Sequence, residues 1–110
     1  MYLSKLEELR KELNELVSKA PELAIFAEYV EKAEATRTLD KKTKELISLA
    51  IGIVIRCEPC ILWHCVEAVK AGATIDEILD TIKVAVCMGG GPALAYSLKA
   101  YEIAREILKK

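Results

Sequence analysis

The sequence predicts an all-α single domain of six helices, and three observations carry that prediction. Apolar residues recur at three- and four-residue steps along most of the chain, which is the period of one face of a helix. Helix-start signals at Asp40, Thr74, Pro21, Pro59 and Pro92, and helix-stop glycines at Gly72 and Gly89 to Gly91, punctuate that pattern. No strand pattern follows Gly72.

Each element has its own warrant. Leu3, Leu6, Leu13, Leu16, Val17 and Ala20 lie at helical steps among Glu and Lys, an amphipathic first helix. Pro21 suits the first turn of a second, whose stripe of Leu23, Phe26, Ala27, Val30 and Ala33 runs to about Ala35. Asp40 is a good N-cap for the third, which turns apolar from Leu46 to Ile55 and should therefore be buried nearly all round. The β-branched run Ile51 to Ile55 also reads as a buried strand leading into a thioredoxin-like fold. The fourth helix should start near Glu58-Pro59 and end near Ala71-Gly72, where glycine suits the left-handed cap. Its core face is Ile61, Leu62, Cys65, Val66 and Val69, flanked by a stripe holding Cys57, Cys60 and His64. Trp63 falls on the polar side, where it either contacts another subunit or lies flat on its own surface. Thr74 and Glu77 form a capping box for the fifth helix, which should reach Met88. Gly89-Gly90-Gly91 should break it, and Pro92 should open the sixth.

The 110 residues (12.2 kDa) are the size of one domain, and no Gly/Ser linker or internal repeat divides them. Sixteen basic and seventeen acidic residues are interspersed, giving a net charge of −1. Such a surface has no basic patch for a phosphate backbone, so nucleic acid is an unsuitable partner. No uncharged apolar run reaches the ~18 residues of a membrane span, and the charged N-terminus is unlike a signal peptide. A cytoplasmic location is the expectation. The triple glycine lacks the residues of a P-loop or a dinucleotide fingerprint, so no nucleotide cofactor is expected.

Candidate chemistry is concentrated in Cys57-Glu58-Pro59-Cys60-Ile61-Leu62-Trp63-His64, which holds the chain's one histidine and its one Cys-x-x-Cys pair. In a chain without a secretory leader such a pair is catalytic or metal-binding more often than structural. At a helix start, unpaired N–H groups and the macrodipole favour the thiolate, which is the nucleophilic form. His64 lies ~6 Å along the axis from Cys60, within reach of a proton directly or through one water. Zinc is the competing use, with Cys57, Cys60, His64 and Cys65 as four ligand types, although Cys65 turns toward the core face. That reading would make the chain a non-catalytic helical oligomerisation module. Cys65 and Cys87 are expected as inert core residues. Glu45, just before the apolar run, is either a partly buried proton carrier or an ordinary glutamate of an opening turn. A straight third helix would leave it ~18 Å from Cys57, so a relay requires the chain to double back or a second subunit to approach.

Glu45-Leu46-Ile47-Ser48-Leu49-Ala50, then Cys57-x2-Cys60-x3-His64, then a capped helix and Gly90-Gly91-Pro92-Ala93, resembles the AhpD-like alkylhydroperoxidase branch of the carboxymuconolactone decarboxylase family. The resemblance covers a core of about residues 38 to 105, with the N-terminal helices of about 1 to 36 outside it. It implies a six-helix orthogonal bundle, which disfavours the thioredoxin-like alternative. It also implies that Cys60 attacks peroxide, that Cys57 closes the disulfide, and that His64 with Glu45 relays the proton. The family uses no metal or other cofactor at this site. A dithiol donor, a lipoyl group or a thioredoxin-like protein, reduces the disulfide, and the subunits form homo-oligomers, commonly trimers or hexamers. Two positions depart from the pattern: Pro59 stands where many relatives carry Tyr or His, and Glu58 adds a negative charge beside the pair. Both make general disulfide exchange a suitable activity alongside peroxide reduction. Lactone decarboxylation is not expected, since that branch typically lacks the two-cysteine motif.

Overall fold

Five helices follow one another in the computed structural model, which describes residues 1–109: α1 (Tyr2–Lys19), α2 (Leu23–Glu34), α3 (Lys41–Val54), α4 (Glu58–Lys70) and α5 (Ile75–Leu108). The β-branched run before the cysteines is the end of α3, not a strand. The expected sixth helix is the second arm of α5. Its two helical arms meet at Gly90, which alone leaves helical geometry (φ 70°, ψ −152°) and kinks the rod. Glycine reaches that region without the clash that a Cβ would suffer.

The core is the contact of α3, α4 and α5. Leu49 and Ile53 from α3, Ile61, Cys65 and Val66 from α4, and Ile78 and Ile103 from α5 are fully or almost fully enclosed. Ala68, Ala85, Ala93, Ala100 and Ala104 fill the space between them. Small side chains at these positions let helix axes approach closely. Among the described residues α5 is the one helix long and apolar enough, by length and composition, to cross a bilayer; its inner face supplies seven buried residues to this core.

Both chain reversals around α4 use the same C-terminal device. After α4, the Gly72 N–H donates to Val69 O and the Ala73 N–H to Ala68 O, with Gly72 at φ 103°. After α3, the Arg56 N–H donates to Ile53 O and the Cys57 N–H to Gly52 O, with Arg56 at φ 60°. These are Schellman closures, which place one left-handed residue after the helix and satisfy its last carbonyls. The one after α3 folds α4 back along α3.

The N-terminal helices attach more lightly. α1 buries only Tyr2 and Leu6. Its first residues hold the end of α5, through the Tyr2 hydroxyl donating to Glu102 and the Tyr2 N–H donating to Glu106. No residue of α2 is buried, so its expected apolar stripe faces outward, with Phe26 67% exposed. The third helix also departs from expectation: Ile47, Ile51 and Ile55 form an exposed stripe on a helix expected to be covered all round. Cys87, expected in the core, is exposed as well, because its position on α5 faces away from α3 and α4.

Candidate active site

The cysteine pair sits where α4 begins. Cys57 is the N-cap, in an extended conformation, and its Sγ accepts the Cys60 N–H at 3.2 Å. The two residues form a disulfide with Cα atoms 5.2 Å apart, within the ordinary range for such a bond. Gly52 of α3 makes this approach tight: a Cβ there would lie 3.1 Å from Cys60 Cβ, and its carbonyl already receives the Cys57 N–H. The pair is thus held from both sides by one residue without a side chain. Pro59 occupies the first turn of α4, where a missing N–H costs nothing, and Glu58 beside it suits the positive end of the helix.

The doubling back that the proton relay requires occurs within one chain. Glu45 Oε1 lies 2.7 Å from His64 Nδ1, although 19 residues separate them. Glu45 is 2% exposed, and its second oxygen accepts from Lys41 Nζ at 2.7 Å. Burial works to raise the Glu45 carboxyl, but the hydrogen bonds from His64 and Lys41 outweigh it and hold the group below the usual carboxylate range. With Nδ1 engaged by a carboxylate, Nε2 is the other ring nitrogen of an imidazole one helical turn above Cys60.

The sequence did not reveal Glu34. The last residue of α2, it brings Oε2 to 3.4 Å from His64 Nδ1 and accepts from Ser48 Oγ at 2.7 Å. One signal was present: a carboxylate at a helix C-terminus opposes the dipole and needs a compensating partner. Lys44 fixes this end of α2, its Nζ donating to the carbonyls of Ala33 and Ala35 at 2.9 and 2.8 Å. Lys41 was likewise not singled out.

Glu34, Glu45 and His64 are the one group among the described residues whose ligand atoms lie together as a metal would require, within 4.8 Å. The Lys41 ammonium occupies the second oxygen of Glu45, and the Ser48 hydroxyl donates to the Glu34 oxygen that faces His64, so the three side chains belong to one hydrogen-bonded cluster. The four zinc ligands considered from sequence do not converge. Cys65 is enclosed in the core, its thiol directed to Ala100 O and pushed up to about 12 by burial, far from the thiolate that zinc requires. Trp63 lies beneath Arg10 of its own chain, with the guanidinium carbon 4.4 Å from the ring centroid. This is the reading of a tryptophan on its own surface, covered by α1.

An all-helical fold that holds a Cys-x-x-Cys pair at a helix start, with a carboxylate–imidazole couple one turn above, defines the class. The sequence profile of the carboxymuconolactone decarboxylase family matches residues 21–102, and the chain belongs to that family, in keeping with its AhpD-like branch. A family protein of Legionella pneumophila is 37% identical and superposes with a TM-score of 0.89 over 98% of this chain and 97% of its own. A second, from Thermotoga maritima and with a suggested part in the antioxidative response, is 33% identical with a TM-score of 0.89, covering 96% of this chain and 91% of its own. Among curated relatives, uncharacterized protein 4 in the cox locus of Paracoccus denitrificans is 41% identical over 66% of this chain and 66% of its own length. An uncharacterized protein of Haemophilus influenzae is 39% identical over 86% of this chain and 84% of its own.

Proposed function

We propose that the chain is a thiol-dependent antioxidant oxidoreductase of the alkylhydroperoxidase type, reducing peroxides or disulfides through the Cys57/Cys60 couple. One observation carries this reading: a Cys-x-x-Cys disulfide at the N-terminus of α4, one turn below an imidazole that a buried carboxylate orients. In the reduced protein His64 takes the Cys60 proton, and the thiolate attacks a peroxide oxygen. The O–O bond breaks, Cys60 becomes a sulfenic acid, and the alkoxide takes the proton from the imidazolium and leaves as alcohol. Cys57 then gives its proton to His64 and attacks the sulfenic sulfur. The S–O bond breaks, and hydroxide takes that proton to leave as water. The dithiol has lost two electrons to the peroxide, and His64 is neutral again. An external dithiol, a lipoyl group or a thioredoxin-like protein, restores the pair by exchange through a mixed disulfide.

Pro59 has no side-chain proton and no N–H to offer, so proton delivery falls to His64. A recess of about 330 Å³ beside Glu58, lined also by Tyr96, Leu98, Lys99 and Glu102, lies near the cysteine pair in sequence but is lined by none of Glu45, Cys57, Cys60 and His64. The larger one, about 740 Å³, lies between Tyr2 and the end of α5 and includes none of the site residues. A reducing cytoplasm, which keeps such a dithiol poised, suits this chemistry, and a homo-oligomer suits the exposed apolar faces of α2 and α3. The direct test is peroxide and disulfide turnover with a dithiol donor, wild type against Cys60→Ser. Turnover should be lost in the variant; equal turnover in both would remove Cys60 from the reaction.

A further inference from the structure

We propose that Glu34 is a second counter-charge of the His64 imidazolium, added to Glu45, which orients the ring and shares its charge with Lys41. The purpose of this pairing rests on the thiol chemistry proposed above; its electrostatics rest on the geometry alone.

The charged groups around the imidazole come from four helices. α1 supplies Arg10, α2 supplies Glu34, α3 supplies Lys41, Lys44 and Glu45, and α4 supplies Glu67 and Lys70 beside the cysteine pair. Among the described residues no ion pair joins α5 to this set. The groups sort into partners by distance. Glu45 gives one oxygen to His64 and the other to Lys41, both at 2.7 Å. Glu67 meets Arg10 at 3.0 Å, with Lys41 at 3.7 Å and the largely exposed Lys70 at 4.0 Å. Lys44 is committed to two backbone carbonyls. Glu34 therefore has one group within 4.0 Å that can carry a positive charge, and that group is His64.

Two features make this pairing consequential. Glu34 has a side chain only 14% exposed, and it ends a helix whose dipole repels a carboxylate. Ser48 solvates one oxygen but brings no charge. Such a carboxylate gains most from a neighbouring cation. Glu45 is the nearer carboxylate, but it divides its charge between the imidazole and the Lys41 ammonium, one oxygen to each. Glu34 thus adds to the compensation of the imidazolium that Glu45 begins. Glu34 is a positioning residue that acts through His64: it favours transfer of the thiol protons of Cys60 and Cys57 onto the ring, from which alkoxide and then hydroxide collect them.

The chain has one histidine, so nuclear magnetic resonance of protein labelled in that residue gives one imidazole signal that reports on this site alone. The experiment follows that signal against pH in the reduced wild-type protein, Glu34→Gln and Glu34→Asp, alongside the pH profile of dithiol turnover. Glutamine keeps the acceptor for Ser48 and the volume of the side chain, so the fold is retained while the charge is lost. The titration midpoint of the signal should fall by roughly one to three pH units in Glu34→Gln, the size of effect expected from an adjacent opposite charge. It should fall by less in Glu34→Asp, and the turnover profile should move in the same direction. An unmoved midpoint in Glu34→Gln, or an equal fall in both variants, would overturn the proposal. An unmoved midpoint with an active wild type leaves the dithiol reaction standing. A moved midpoint with an inactive wild type supports the pairing and sinks the reaction.

Discussion

Removing the charge of Glu45 tests the site at the scale of one residue, because that carboxylate is enclosed and yet ionised. Its folded-state pKa is depressed relative to the unfolded chain. The stability it contributes is therefore fully present above the unfolded value and is lost as pH falls through the folded one. Glu45→Gln should flatten the loss of thermal stability between roughly pH 5 and pH 3 that the wild type shows. The residual slope belongs to Asp40, Glu77 and Glu106, whose hydrogen bonds also hold them low. Melting temperatures taken across that range check the prediction, and parallel curves for the two proteins would contradict it. The same substitution leaves Lys41 facing an amide in place of a carboxylate and weakens the hold on the imidazole. Turnover should fall by about 10²–10⁴, the usual worth of a positioned acid–base group. The residues legible in the sequence were those spaced along one helix or flagged by chemical rarity: the cysteine pair, the one histidine, and Glu45 by its place in a familiar pattern. Glu34 carried one local signal, its place at a helix C-terminus, but nothing in the sequence names the partner that this position requires. Its meeting with His64 depends on how the end of α2 is fixed to α3, by Lys44 and Ser48.

Arg56 sets the scale of the element, since the turn it occupies decides where α4 starts and hence where the sulfurs lie. The Schellman closure after α4 uses glycine in the left-handed position; the one after α3 uses Arg56 at φ 60°. A residue with a Cβ carries about 1–2 kcal/mol of strain in that region. Arg56→Gly should raise stability by about 1 kcal/mol after its greater freedom in the unfolded chain is counted. Denaturant unfolding measures this, and a loss of stability would show that the arginine side chain makes an offsetting contribution. The helix caps were readable because their chemistry is local: Asp40 accepts the Thr43 N–H, and Thr74 with Glu77 completes its box. The turn at Arg56 was not, because left-handed geometry is usually announced by glycine or asparagine. The break at the triple glycine was readable too, since Gly90 alone leaves helical geometry and divides α5 into two helical arms.

At the scale of the whole molecule, the apolar surface left uncovered calls for a partner, and the proposed partner is a second copy of the chain. Ile47, Ile51 and Ile55 recur every fourth residue on α3, so they form one continuous exposed row. On α2, Ile25, Phe26 and Tyr29 are exposed too. A 12-residue helix with no buried side chain falls in the range where isolated helices are marginal in water. Packing of like rows between subunits would bury both helices, and each α3 isoleucine, already about half covered, would contribute on the order of half of the roughly 1.5–3 kcal/mol that full burial brings. Ile51 stands at the centre of the α3 row, so Ile51→Lys places a charge where an interface would have to desolvate it. Light scattering on the eluting peak should give the wild type a mass that is a multiple of 12.2 kDa, and should give Ile51→Lys a smaller one with its helical circular dichroism largely kept. A wild type that elutes as a single chain would refute the assembly. The prediction has a second part, because α2 also carries Glu34. A subunit released from its neighbours loses the cover over α2, and fraying of that helix withdraws Glu34 from His64. Dissociation by Ile51→Lys should thus move the imidazole signal in the same direction as Glu34→Gln, without any change at the site itself.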